Sequence, residues 1–470
     1  MSEVPSSIRN AYDPERFRTD GHRLIDAMAD QMARWQRREG AVLPWREPAA
    51  ARRHWEESTS TFDIVDELAR IAAASTGIVN PRCMGHQVAP PLPAAALAEL
   101  VSAVLNNGMA VYEMGPASTP IELAVIEWLC QALGLPKGAG GVLTHGGSLG
   151  NLTALLAMRQ AKAGFDVWRD GYSKPLALVV SSDSHYSIAR ALSIMGMGEV
   201  GAIKAPLDAH HRMTARAVEE ALASAGERTV IGIVAAAGST ATGAFDPLDE
   251  IADVAARHQL WLHVDAAHGG GVCMSQAQRG KLRGIERADS VVWDAHKLLM
   301  MPALVTAVLF KRESSSYEAF AQQASYLFTG TRPEDSWWDL GQRTLECTKR
   351  AMSIELWTAL RSRGGQWFGD VVDRQHELAL ALAAKVDAAP DFELALAPES
   401  NIVCYRHTGA TDLDAHNRAL KKRVVEDGKF YIVGTQLPSG YHLRSTLMNP
   451  LTETRDLDEL LDHLRSLCPK

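Results

Sequence analysis

The chain has 470 residues, 46% of them hydrophobic and 22% charged, with a formal net charge of -8. This length can bury one large core and smaller ones beside it, and the balance excludes a disordered or fibrous chain. The acidic charge, without any basic block, argues against nucleic acid or an anionic membrane as partner and leaves a small molecule.

Six cysteines (83, 130, 273, 347, 404 and 468) form no C-x-x-C pair, which fits reduced thiols better than a disulfide frame or zinc site. MSEVPSSIRNAYDPERF lacks an apolar leader, and no apolar stretch has the length of a bilayer span, so a cytoplasmic protein is expected. In chain order, GHRLIDAMADQMARW (21–35) repeats Leu24, Ile25, Met28, Met32 and Trp35 at helical spacing until PWREP (44–48) breaks it. Residues 1–75 therefore read as a helical arm.

From 92 to 310, helical patterns alternate with the apolar runs LALVVS (176–181), VIGIVAA (230–236), LWLHVDA (260–266), DSVVWDA (289–295) and ALVTAVLF (303–310). The alternation predicts an α/β domain over 76–345, a mostly parallel sheet covered by helices, with its ligand beyond the carboxyl ends of the strands. LFTGTRPEDSWWDLG (327–341) reads as a loop, with Trp337 and Trp338 packing it. Helices around 342–388, the runs IVCYRH (402–407), FYIVGTQ (430–436) and YHLRSTLM (441–448), a helix near 412–427 and LDELLDHLRSL (457–467) make a small α/β domain over 346–470. There is no internal repeat.

VVWDAHKLLMMP (291–302) sets Lys297 between two apolar runs, where an ammonium is costly to hide. Asp265 ends another strand 297 − 265 = 32 residues earlier, about one strand-helix-strand unit, so both can reach one cleft. An amine in an apolar cleft loses charge stabilisation and becomes a nucleophile able to form a Schiff base. An aspartate beside it can hold a protonated pyridine nitrogen, and that pairing points to pyridoxal 5'-phosphate.

An anion cradle is supplied by THGGSLGNLTALLAMRQ (144–160), where glycines, Ser148 and Asn151 precede a helical run. The Gly-Lys-Ser/Thr ending of a nucleotide-binding loop is missing from it. His185 in SSDSHYSIARA (181–191) follows a strand, where an imidazole can stack on a flat ring. Each residue also has an ordinary reading: a snorkelling lysine, a capping aspartate, a hydrogen-bonded histidine, a tight turn. His263 and His268 flank Asp265 without a third ligand, so no metal is expected.

Taken together, DAHKLLMMP, HVDAAHGG, SHYS, HGGSLGN and GSTATGAFDP resemble, in order and spacing, the group II pyridoxal-phosphate amino-acid decarboxylases. These include the glutamate, cysteine-sulfinate, aromatic-amino-acid and 2,4-diaminobutyrate enzymes. The resemblance runs from about residue 10 to the C-terminus. It implies a fold-type I homodimer with active sites at the subunit interface and N-terminal helices swapped between subunits. It also implies α-decarboxylation of an L-amino acid to an amine and CO2.

By the same resemblance Lys297 is the Schiff-base lysine and His296 lies near the phosphate, while Asp265 faces the pyridine nitrogen between the ring-flanking His185 and Ala267. Gly147 and Ser148 hold the phosphate, Thr240 lies by the 3-hydroxyl, and Arg444 of LRSTLMNP meets a carboxylate of the substrate or of the protein. The chain departs from the family at the loop tyrosine that returns a proton to the α-carbon: Pro333 and Glu334 stand near its place, and Tyr326 lies earlier. Glu334, His185 or water is then the acid, and oxidative formation of an aldehyde, or a non-catalytic regulatory role, is the alternative. In NPRCMGHQVAPPLP (80–93), His86, Gln87 and Val88 stand at the side-chain pocket without the glutamate-type pattern, so no substrate amino acid is named.

Overall fold

A computed structural model describes residues 4–56, 62–320 and 337–468. Seven strands form the large sheet: β1 (Gly140–Thr144), β2 (Leu176–Ser181), β3 (Ala202–Ala205), β4 (Thr229–Ala236), β5 (Trp261–Asp265), β6 (Ser290–Asp294) and β7 (Thr306–Phe310). Their order is β1-β7-β6-β5-β4-β2-β3. Strands β2 to β6 pair in parallel, and β7 runs antiparallel to both β6 and β1. The expected mostly parallel α/β architecture is therefore present.

Apolar side chains on both faces drive this arrangement. Leu178 and Val180 of β2 join one layer with Leu155 of the helix Gly147–Lys162, while Ala177 and Val179 join the opposite layer with Ile251 of the helix Leu248–Arg257. Each fully buried leucine or isoleucine contributes roughly 1.5–3 kcal/mol. A consequence of parallel pairing is that the carboxyl ends of β2, β4, β5 and β6 lie along one edge of the sheet.

Four antiparallel strands, β8 (Phe392–Leu394), β9 (Ile402–His407), β10 (Val433–Leu437) and β11 (Gly440–Thr446), form a second sheet in the order β10-β11-β9-β8. Leu382, Tyr405 and Leu460 lie in its core, under the helices Ser353–Ala388 and Thr454–Leu467. The N-terminal residues form the helices Ser6–Ala11, Pro14–Gln36, Pro48–Glu56 and Ile64–Ala74. Asp63 caps the last of these through the N–H groups of Val65 and Asp66 and receives Arg23 at 3.1 Å. Arg38 forks onto Asp456 with both contacts at 2.7 Å, tying this arm to the C-terminal helix.

Two differences from the sequence reading have physical causes. The run 303–310 becomes strand only from Thr306. GGVLT, which carries weak strand propensity, is the edge strand β1; a side chain at Gly141 would stand 2.0 Å from the Val308 carbonyl, so the glycine is there for close approach to β7.

Candidate active site

A cavity of about 230 Å³ opens where β2, β4, β5 and β6 end and the helix Gly147–Lys162 begins. Lys297, Asp265, His185, Ala267, Gly147, Ser148 and Thr240 all line it. Residues more than a hundred positions apart thus share one surface.

Lys297 sits in the turn after β6, its N–H donating to the Asp294 carbonyl at 3.2 Å. Its Nζ lies 3.0 Å from Asp294 Oδ2, and the other oxygen of Asp294 accepts from the Thr306 hydroxyl. One strand over, Asp265 Oδ2 accepts from Asn151 Nδ2 at 2.9 Å and Oδ1 from the Ala267 N–H at 3.1 Å. His185 is the N-cap of the helix Tyr186–Ile194, its Nδ1 accepting from the Ser187 N–H at 3.3 Å. Burial holds the His185 imidazole below its ordinary value, and the nearby Asp265 carboxylate opposes that shift.

Gly146 turns the chain with φ of 88° into the helix that starts at Gly147. The N–H groups of Gly147 and Ser148 belong to that helix's first turn, where no intrahelical carbonyl is available and the dipole favours an anion. Thr240 stands on the loop after β4, and Arg444 clamps this loop by donating to the carbonyls of Thr240 (2.7 Å) and Ala241 (3.0 Å).

Among the described residues Arg444 meets backbone carbonyls rather than a protein carboxylate, and it is not part of the cavity lining. His296 is also outside the lining, buried with Nδ1 at 3.0 Å from the Val305 carbonyl and 3.2 Å from its N–H. His86 is solvent-exposed, edge-on to Tyr431 at 5.9 Å, and lines no part of the cavity in this chain. Glu334, Pro333 and Tyr326 lie outside the described residues, whereas the described Trp337 and Trp338 pack edge to face at 5.4 Å.

Sequence reasoning passed over Asp294, His145, Asp183 and Ser239, all in the lining. Asp294 carried a signal, a carboxylate ending a strand three residues before the lysine. His145 did not, because its partner Glu346 (2.9 Å) is distant in sequence. His268, which the sequence offers only as a metal ligand, meets Asn401 Oδ1 through Nε2 at 2.7 Å, and its buried Nδ1 has no hydrogen-bond partner among the described residues. Burial pushes that ring down to about 3.

Far from the cavity, His407, His416 and Cys468 meet in the small sheet's layer. The two rings are joined at 3.0 Å between Nδ1 and Nε2. Cys468 Sγ is 3.7 and 3.6 Å from the two nitrogens of His407, so it faces neither lone pair preferentially.

The cavity's donor set suits a phosphorylated pyridine aldehyde. It offers an amine, a carboxylate on the neighbouring strand, an anion cradle at a helix start, small and flat side chains in Ala267 and His185, and an unpaired buried acceptor in His268 Nδ1.

Comparison with known proteins agrees. Residues 62–408 match the family described as the pyridoxal-dependent decarboxylase conserved domain. The chain is 31% identical over 455 residues to cysteine sulfinic acid decarboxylase of Mus musculus, covering 91% of each. It is also 31% identical over 417 residues to L-2,4-diaminobutyrate decarboxylase of Rhizobium meliloti (strain 1021), covering 87% of this chain and 82% of that one. A crystal structure of the mouse enzyme superposes with a TM-score of 0.89 at 28% identity, over 97% of this chain and 99% of that one. Cavity chemistry and relationship converge, and the chain belongs to the pyridoxal-dependent decarboxylase family.

Proposed function

We propose that Lys297, Asp265 and His185 carry out the pyridoxal-phosphate-dependent α-decarboxylation of an amino acid, yielding an amine and CO2, that membership of this family brings. The observation carrying the assignment is the convergence of those three side chains with the Gly147 helix start on one cavity. When bound, pyridoxal phosphate supplies a conjugated ring that takes up the electron pair left as CO2 departs.

The chain's own residues do the rest. Lys297 supplies the anchoring amine, and Asp294 Oδ2 fixes where Nζ points. Asp265, held by two donated hydrogen bonds so that its carboxylate needs no rearrangement, would meet the ring nitrogen. His185 and Ala267 would flank the ring, Gly147 and Ser148 would offer N–H groups to the phosphate, and Thr240, on the loop that Arg444 clamps, would serve the 3-hydroxyl. Of the proton donors that the sequence offers, His185 is the one that lines the cavity among the described residues.

Two coarser points complete this reading. A homodimer is supported by the helix Pro93–Leu105, which in the single chain leaves Leu97, Leu100, Val101, Val104 and Leu105 exposed, a row of apolar groups that a second copy would cover. Cytoplasmic placement is supported by six free cysteines, and no helix among the described residues is long and apolar enough to cross a membrane. We take the division into an arm over 1–75, a large domain over 76–345 and a small domain over 346–470 as the working one.

The test is a product assay with pyridoxal phosphate and a panel of amino acids, following amine, aldehyde and CO2 by mass spectrometry against Lys297→Ala. The relatives are named for side chains of opposite charge, so the panel needs both signs. Amine with stoichiometric CO2 is expected; aldehyde with peroxide, or turnover surviving in Lys297→Ala, would overturn the assignment.

A further inference from the structure

We propose that a buried hydrogen-bond chain behind the cavity, running Trp261–Ser290–His263–Asn151, aims the carboxylate of Asp265 and fixes the ring proton of His185 on Nε2. His263 and Asn151 are then positioning residues for the reaction. This rests on the reading that Asp265 faces the cofactor's ring nitrogen.

The direction of every bond follows from the two ends. Trp261 Nε1 can only donate, and it lies 2.9 Å from Ser290 Oγ. Ser290 therefore has its own proton left for His263 Nδ1, also 2.9 Å away. With Nδ1 accepting, the proton of a neutral His263 ring is on Nε2, which meets Asn151 Oδ1 at 3.0 Å.

The other end forces the same answer. A carboxylate only accepts, so the Asn151 amide must turn its NH2 to Asp265 Oδ2 at 2.9 Å, leaving Oδ1 for His263. Its second N–H reaches Ser187 Oγ at 3.0 Å. Ser187 then donates its hydroxyl proton to His185 Nδ1 at 2.7 Å, and the Ser187 N–H, which can only donate, reaches the same nitrogen. Two donors on Nδ1 leave the proton of a neutral His185 ring on Nε2.

His263, on β5 beside Ser290 of β6, is fully buried, and burial pushes it down to about 4, so near neutral pH the ring carries one proton whose position matters. Nothing in the family's reaction requires this histidine to touch cofactor or substrate, and it is absent from the cavity lining. Its effect passes through the Asn151 amide. Without a donor on Oδ1, the amide oxygen is left buried without its partner and Asn151 keeps only the contacts of its NH2 to Asp265 and Ser187, so the direction from which it meets Asp265 loosens.

The experiment uses holoenzyme labelled with 15N-histidine, with signals assigned from single variants. The expected result is an Nε2–H tautomer for both His263 and His185. In His263→Phe the His185 ring should keep its Nε2–H tautomer, because the Ser187 N–H still donates to Nδ1. The ratio of the bound cofactor's absorbance bands should change, and kcat should fall about 10- to 100-fold while KM moves less than about twofold. His263→Gln, which keeps a donor toward Asn151, should recover to within about threefold.

Ser290→Ala makes the same test with less disturbance to packing. An Nδ1–H tautomer at His263 or His185 in the wild-type protein, or an unchanged cofactor spectrum and kcat in His263→Phe, overturns the proposal. Asp265→Asn separates the two levels. If it leaves the cofactor spectrum unchanged, the reading of Asp265 fails; if it changes the spectrum while His263→Phe and Ser290→Ala do not, the chain alone fails.

Discussion

Two lysines of this chain sit against buried carboxylates, and they do opposite things. Lys349 donates to Glu122 and to the Leu143 carbonyl, with 1% of its side chain exposed, and Glu122 in turn accepts from the Leu143 N–H at 2.9 Å. Burial pushes the Lys349 ammonium down while Glu122 pulls the other way. Lys297 has Asp294 on one side and the cavity on the other, with 19% of its side chain exposed. An amine whose partners are all protein groups is structural; one that keeps a face to a cavity is available for chemistry.

Exchanging the losses is the strongest way to break this comparison. Lys297→Ala should cost activity at least about a thousandfold, and borohydride should no longer fix cofactor to the chain, while the urea midpoint moves little. Lys349→Ala should do the reverse: about 3–5 kcal/mol of stability lost on urea unfolding, because Glu122 is left buried without its cation. The molecules that remain folded should keep near-normal turnover. Loss of cofactor linkage in Lys349→Ala would end the distinction.

A smaller effect sharpens it. The double variant Glu122→Leu/Lys349→Met should recover only part of the loss, since an apolar pair can replace the buried charges but leaves the Leu143 N–H and carbonyl without partners, at about 1–3 kcal/mol each. Full recovery by apolar groups would show that the Lys349 pair fills space and balances charge. No apolar replacement at 294 and 297 should restore turnover.

The sequence made one of these lysines visible and hid the other for a physical reason. Lys297 follows a strand within a motif, and strand ends are places where local pattern reports position, so Asp265, His185 and the Gly147 turn were legible with it. Lys349 lies in no periodic run, and Glu122, its partner, is 227 positions away. The same limit explains Arg444, which lies on the expected strand β11 but reaches the carbonyls of a loop more than two hundred residues earlier. It also explains β1, unassigned in the sequence because its glycines report no strand until the neighbouring strand they admit is known. Residue types at element ends were readable; pairings between distant elements, including the Asn151 and His263 contacts behind Asp265, were not.

His263 extends the comparison to a third base, buried and satisfied by hydrogen bonds as a neutral ring rather than by a carboxylate. Its folded value is pushed down to about 4 by burial, against an ordinary value of 6.5. Between those two pH values the unfolded chain binds a proton that the folded ring refuses, so the contribution of His263 to stability is whole above pH 6.5 and declines as pH falls toward 4. His268 acts in the same sense, while Asp246 and Glu355, pushed up by burial to about 7 and about 8, act in the opposite one. All three remain in a His263→Phe variant and cancel in a comparison with wild type. The stability of His263→Phe, measured by urea unfolding at a series of pH values, should therefore gain on wild type as the solution is acidified through this window. Parallel curves would mean that the ring already carries its second proton when folded, and an imidazolium has no lone pair on Nδ1 for Ser290 to reach.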